Sequence, residues 1–424
     1  MKAAKIIIAG FICVAILTCG GLQAQPGSDQ EEQSAQVNGS TPLFPIEKDG
    51  KYGYIDKAGN IVINLQFDYA GLFCDGLAVV SIGSKYGYID KTGKVVMEPQ
   101  FSGTWDFSEG LAKVQIGDEK TGKYGYVDKT GKVVIEPQFD MAQAFSEGLA
   151  AVRIGDKKTG KWAYIDSTGK IVIEPLFGLA FAFSEGLARV KIVIEPEQPG
   201  GVIFSGPFAQ MSSGSPGKAR WSYIDKTGTT VINLQQFSFG GSTLGIPFNP
   251  NTMGLGTPML MPSAPESDPT QWDDYWALDF SEGVAMVRIG DEKTRKCGYV
   301  DTTGKIVIEP QFADYGCKSF SEGLASISVD GKYGYIEKTG KMIIQPQFNL
   351  AFDFSEGLAA VKIGDWETGK YGYIDKTGNI IINPQFDLAL EFTEGLAKVR
   401  VGDYKTGKYG YIDKTGKYVW EPAN

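Results

Sequence analysis

Histidine is absent from all 424 residues. That removes the commonest general base near neutral pH, the commonest neutral metal ligand, and every nucleophile activated through an imidazole. Cysteine is scarce as well: Cys13, Cys19, Cys74, Cys297 and Cys317 are widely scattered and show neither a metal-binding spacing nor a disulfide framework. Cys297 and Cys317 fall in one repeat and stand either as a pair or as two free, partly buried thiols. No apolar run reaches membrane-spanning length. The longest, Ile6 to Leu17, is too short to cross a bilayer as a helix. There is also no basic stripe, so nucleic acid is not an expected partner.

The short apolar run follows Lys2 and Lys5, which gives residues 1–24 the form of a secretory signal. Two processing readings stand open. Cleavage after Ala24 would use the small-residue site Leu22-Gln23-Ala24. Alternatively, Ile16-Leu17-Thr18-Cys19-Gly20 resembles a bacterial lipobox in which Cys19 is lipidated, although Thr18 departs from the usual small residue. The polar, aperiodic stretch 25–41 reads as a disordered tether. Without the two leader lysines the net charge is −11, from 39 basic and 50 acidic residues. Contact with a membrane is then expected only through a lipid anchor.

What the chain has in abundance is repetition. Nine times an aromatic or related residue opens a short strand that ends in the same turn. The openers are Tyr52, Tyr86, Tyr124, Trp162, Trp221, Cys297, Tyr333, Tyr371 and Tyr409. Undisturbed neighbours lie 34 to 38 residues apart, a period that marks a repeat architecture. Each copy reads as three strands. In one copy these are Leu149 to Ile154, Lys161 to Asp166 and Lys170 to Glu174, the last stopped by Pro175. The turn Asp128-Lys129-Thr130-Gly131 carries an aspartate able to cap the backbone and a glycine able to take the left-handed conformation of a bulged type I turn. An aspartate at every turn could suggest calcium, but its neighbours are lysine and threonine, which favours a turn cap.

A connector joins each copy to the next. In Gln385 to Leu396, the three-residue spacing of Phe386, Ala389 and Phe392 predicts a helical turn whose rings plug the space between sheets. The Ser-Glu-Gly that follows reads as a turn. Its glutamate, spread along an array, is expected to be structural. The runs Val133-Val134-Ile135 and Ile380-Ile381-Ile382 suggest strands covered on both faces.

These units resemble the WG-repeat, or KWG-repeat, family of bacterial exported and envelope proteins. The resembling residues are Lys-Tyr-Gly-Tyr-Ile-Asp-Lys-Thr-Gly from Lys370 onward, the Ile-Glu-Pro-type strands, Gln-Phe, and Phe-Ser-Glu-Gly-Leu-Ala. The naming Trp-Gly pair never occurs, because Trp162 precedes Ala163 and Trp221 precedes Ser222. The resemblance implies the architecture and no catalytic activity, cofactor or general ligand.

The expected fold is therefore all-β: tandem three-stranded antiparallel repeats over residues 42–424, forming an open or superhelical array. A β-propeller-like ring is the alternative. Nine units exceed the usual four to eight blades, and no terminal strand is visibly missing for the other end to supply. Two insertions, near 193–219 and 238–275, leave adjacent units from one edge, where repeat proteins often bind. The second carries Met253, Met259, Met261, Trp272, Tyr275 and Trp276, side chains suited to adaptable contacts.

The expected function is a non-catalytic exported scaffold that binds a protein or glycan at the cell envelope, placed in the periplasm, at the outer membrane or on the cell surface. The alternatives are a carbohydrate-active enzyme using paired carboxylates, with Asp268, Asp273 and Asp274 as candidates, and a purely structural spacer. No cofactor and no metal are expected.

Overall fold

The computed structural model describes residues 41–118, 121–156, 159–193, 219–234, 277–289, 295–313, 316–365, 367–403 and 405–422. Among them there is no α-helix. The described strands form nine consecutive antiparallel units, as the repeat period predicts; seven are separate sheets of three or four strands, and the fourth and fifth share one seven-stranded sheet.

The third unit shows the plan. Its strands are Gly103–Thr104, Leu111–Ile116, Lys123–Asp128 and Val133–Phe139, hydrogen-bonded in chain order. These are called inner, second, third and outer below. The last two are joined by the turn that the sequence specifies. Asp128 Oδ1 accepts from the Thr130 and Lys132 amides at 2.9 and 3.1 Å, and Gly131 adopts a φ of 88°.

The connector differs from expectation. Residues expected as a helical turn form the inner strand of the next unit instead, as in Leu388–Thr393, which pairs with Leu396–Val401. The register slips by one between Ala389 and Phe392. A bulge therefore places residues three apart on one face of a strand, and the spacing imitates a helix. In the fourth and fifth units the outer and inner strands merge into the single strand Ile171–Ser184.

The outer strands are not covered on both faces. Ile135 and Ile382 are buried, whereas Val134, Ile380 and Ile381 are 38–49 % exposed. A terminal strand needs only one packed face, and its edge is blunted by Pro137 or Pro384, which interrupt any further ladder.

Hydrophobic burial lies between units. Nine buried clusters each draw side chains from two neighbouring units. A linear array of nine units would have eight such seams. The ninth joins Phe44, Ile46 and Ile55 of the first unit to Leu396 and Tyr411 of the last. The polar contacts of the other seams recur there too. Lys57 pairs with Glu394 at 3.6 Å, as Lys414 pairs with Glu356 at 3.0 Å. Tyr411 donates to the Pro45 carbonyl at 3.0 Å.

The array therefore returns on itself, and of the two arrangements the β-propeller-like ring is the one formed rather than the open or superhelical one. Closure needs no exchanged strand, because one sheet face packs on another. No barrel forms.

Candidate binding surface at the ring axis

The recurring polar side chains are spent on the seams. The second aromatic of each repeat, always a tyrosine, donates its hydroxyl to a backbone carbonyl of the following unit in all nine cases. Tyr126 to Gln143 at 2.7 Å is typical, with the ring against Phe145 at 4.9 Å. Burial pushes the Tyr126 phenol far above its ordinary range, so it remains a donor.

The Ser-Glu-Gly turn behaves likewise. Ser146 donates to the Phe183 carbonyl at 2.6 Å. Glu356 accepts from the Gly395 amide at 3.0 Å and pairs with Lys414. These glutamates sit at φ near 53°, held in the left-handed region by what they bridge. The second-position tyrosines and the glutamates of these turns are thus engaged between units.

The positions that vary between units carry a different set of groups. Just before the connector phenylalanine stand Asp106, Asp279, Asp353 and Glu391, where other units have Leu72, Ala144, Ala182 or Ser319. On the adjoining second strands stand Lys113, Arg189 and Lys398, and Lys318 stands in the inner segment of the seventh unit. These acids feel tyrosines two units away: Asp106 with Tyr54, Asp279 with Tyr164, and Asp353 with Tyr299. Such reach exists only where the units converge, so these side chains face the axis of the ring.

The surroundings of these groups are crowded but not closed. Asp279 keeps 46 % of its side-chain surface open. Even so, partial desolvation raises its carboxyl pKa against the opposing pull of Arg189, whose Nε lies 3.5 Å away. Burial likewise raises Asp106 and Asp353, with Lys318 opposing at Asp353. Glu391 is raised by burial and by the Asp353 charge. Lys113 is lowered to about 8 by burial, its ammonium lying 3.8 Å over the Trp105 ring and donating to the Ala142 carbonyl at 2.9 Å. Asp353 Oδ1 is enclosed without a hydrogen-bond partner. Perturbed charges beside aromatic faces suit recognition of a polar ligand. Among the described residues no three cysteine, aspartate or glutamate side chains converge to hold a metal.

None of these axial residues was singled out from the sequence. The available signal was variation at one position inside an otherwise constant unit, which a search for recurring residues passes over.

The expected contact residues Met253, Met259, Met261, Trp272, Tyr275 and Trp276, the acids Asp268, Asp273 and Asp274, and Cys19 all lie outside the described residues. The strands that carry the insertions are described. Leu187–Val193 and Thr230–Asn233 run parallel to each other on either side of Ala219–Ile224, so both insertions leave from one face. Cys297 and Cys317 form a disulfide. It joins the opener position of the sixth unit to the inner segment of the seventh, where other units place a small residue such as Ala351 or Ala389. Cys74 is buried and takes part in no disulfide.

A family model, the WG containing repeat, matches residues 52–86, 86–119, 124–157, 162–192, 298–333, 333–365 and 371–404. No curated protein sequence matches the chain. Among solved structures it is similar to a eukaryotic initiation factor, at 11 % identity and a TM-score of 0.56, with 89 % of this chain and 95 % of that one covered. It also aligns with prolyl oligopeptidase B from Galerina marginata, at 12 % identity and a TM-score of 0.41, covering 84 % of this chain and 50 % of that one. With an acylaminoacyl peptidase the values are 10 %, 0.37, 76 % and 53 %. At such identities only the fold is shared, and that rests on the first of the three.

Proposed function

The chain belongs to the WG-repeat family, and on that premise we propose that it is a non-catalytic, exported ring scaffold that binds a protein or glycan at the bacterial cell envelope. One observation carries this reading: the second aromatic of every repeat, a tyrosine, bonds its hydroxyl across a seam, and the recurring serines and glutamates of the Ser-Glu-Gly turn are used the same way. What varies from unit to unit is left to meet a ligand. Those features are the axial charges and the two insertions on one face.

Export is supported by the leader and by the Cys297–Cys317 disulfide, a bond that persists in oxidising compartments. The test deletes residues 194–218 and 238–275 together. The melting transition should survive, since no described seam uses them, while capture of material from envelope extracts should be lost. Unchanged capture would refute the assignment of the binding face.

A second reading has one observation in its favour. Asp353 and Glu391 are electrostatically coupled carboxylates, both shifted upward, and paired carboxylates can hydrolyse glycosides without histidine. Turnover on a glycan panel that disappears in both Asp353→Asn and Glu391→Gln would favour it over the scaffold.

A further inference from the structure

The axial acids differ in what faces them. Asp279 of the sixth unit meets Arg189 of the fifth, whose Nε lies 3.5 Å away. That guanidinium lies 3.9 Å over the Phe181 ring and 5.4 Å from the Trp221 ring, and it donates to the Ala277 carbonyl at 2.6 Å. Burial raises the Asp353 carboxyl, and the Lys318 charge of the seventh unit opposes the rise. Burial raises Asp106 as well, but nothing opposes it. Among the described residues, no cation and no hydrogen-bond donor reaches the Asp106 carboxylate.

The order of residues within the repeat shows why. Arg189 follows Leu187-Ala188, and Val79 follows Leu77-Ala78 in the second unit; Phe181 follows Ala180, and Gly71 follows Ala70. The second unit therefore lacks both the guanidinium and the ring beneath it. The rest of the arrangement remains. Tyr86 stands in the place of Trp221. The Thr104 carbonyl, at the register of Ala277, receives no side-chain donor among the described residues. Asp106 Oδ1 lies 3.7 Å from where a Gly71 Cβ would sit, so the carboxylate leans over the space that Phe181 fills in the fifth unit. An added aromatic flanks it. Tyr69, where the fifth unit has Leu179, is 46 % exposed, and its ring lies 6.0 Å from Tyr52 and 6.3 Å from Tyr86. Burial and then the Asp106 charge raise the Tyr69 phenol, which sets the two side chains together.

We propose that the axial end of the seam between the second and third units accepts an arginine side chain of a partner protein, whose guanidinium takes the place that Arg189 holds three units further on. The Asp106 carboxylate and the Thr104 carbonyl accept its N–H groups, and its flat face lies on the tyrosine rings. The inference rests on the scaffold reading and names its partner as a protein. It uses neither insertion, and its probe is a small molecule, so failure here and failure of envelope capture are separate results.

The probe is N-acetylargininamide, titrated into the full chain and followed by saturation-transfer NMR on its own protons. Saturable binding that weakens with salt is expected. Asp106→Asn should weaken it about tenfold or more. The melting temperature should stay unchanged, because that carboxylate holds no partner in the fold. Tyr69→Leu, which places the residue of the fifth unit there, should weaken binding about two- to fivefold. Glucosamine and methyl glucoside test a glycan in the same place. No saturable binding, binding indifferent to Asp106→Asn, or tighter binding of either sugar than of N-acetylargininamide overturns the proposal.

Discussion

Gly59 offers a direct test of ring closure. It lies in the turn of the first unit at φ 84°, and a Cβ built there would come within 2.3 Å of the Val419 carbonyl oxygen in the last unit. Gly50, at φ 73°, has nothing within 4 Å. Alanine at either position bears the left-handed penalty of about 1–2 kcal/mol. Only at Gly59 does it also force two backbones apart across a packed seam, an overpacking that costs about 1–3 kcal/mol more. Gly131 falls between, since its Cβ would meet the movable Met97 side chain at 3.0 Å. The expected order of destabilisation is Gly50→Ala, then Gly131→Ala, then Gly59→Ala. Urea titration followed by tryptophan fluorescence ranks the three. Hydrogen exchange locates the effect: Gly59→Ala should speed exchange in Phe44–Lys48 and Tyr418–Trp420 while sparing Lys123–Asp128. If Gly59→Ala cost no more than Gly50→Ala and left the terminal strands protected, the first and last units would not touch and the nine-seam account would fail.

Two further outcomes are expected. The disulfide closes a 20-residue separation and contributes about 3 kcal/mol by restricting the unfolded chain. Cys317→Ala, which restores the small residue of other units, should therefore lower the melting temperature by several degrees and leave a transition that no longer responds to reductant. Lys113 titrates near 8 in the fold against 10.5 when free. Between those values the unfolded chain binds more protons, so stability rises with pH across the window and is depressed below it. Lys113→Met should abolish that alkaline rise and stabilise the protein near pH 7, as read by melting at pH 7, 9 and 10.5.

The sequence by itself determined the repeat unit. Turn chemistry at Asp128 and Gly131, strand lengths bounded by glycine and proline, and the 34-to-38-residue period depend on neighbours a few positions apart, so they can be read locally. Its statement about the connector was right in which residues are buried and wrong in their conformation, because a bulged strand and a helical turn place every third residue on one face. Ring closure was beyond it. Whether nine units meet depends on the small rotation between successive sheets, and that sum is set by how side chains such as Phe145 and Tyr126 nest rather than by their order. The axial charges were hidden for the same reason: Asp106 acts on Tyr54, and Asp279 on Tyr164, across two units of the ring, a proximity that their order along the chain does not reveal.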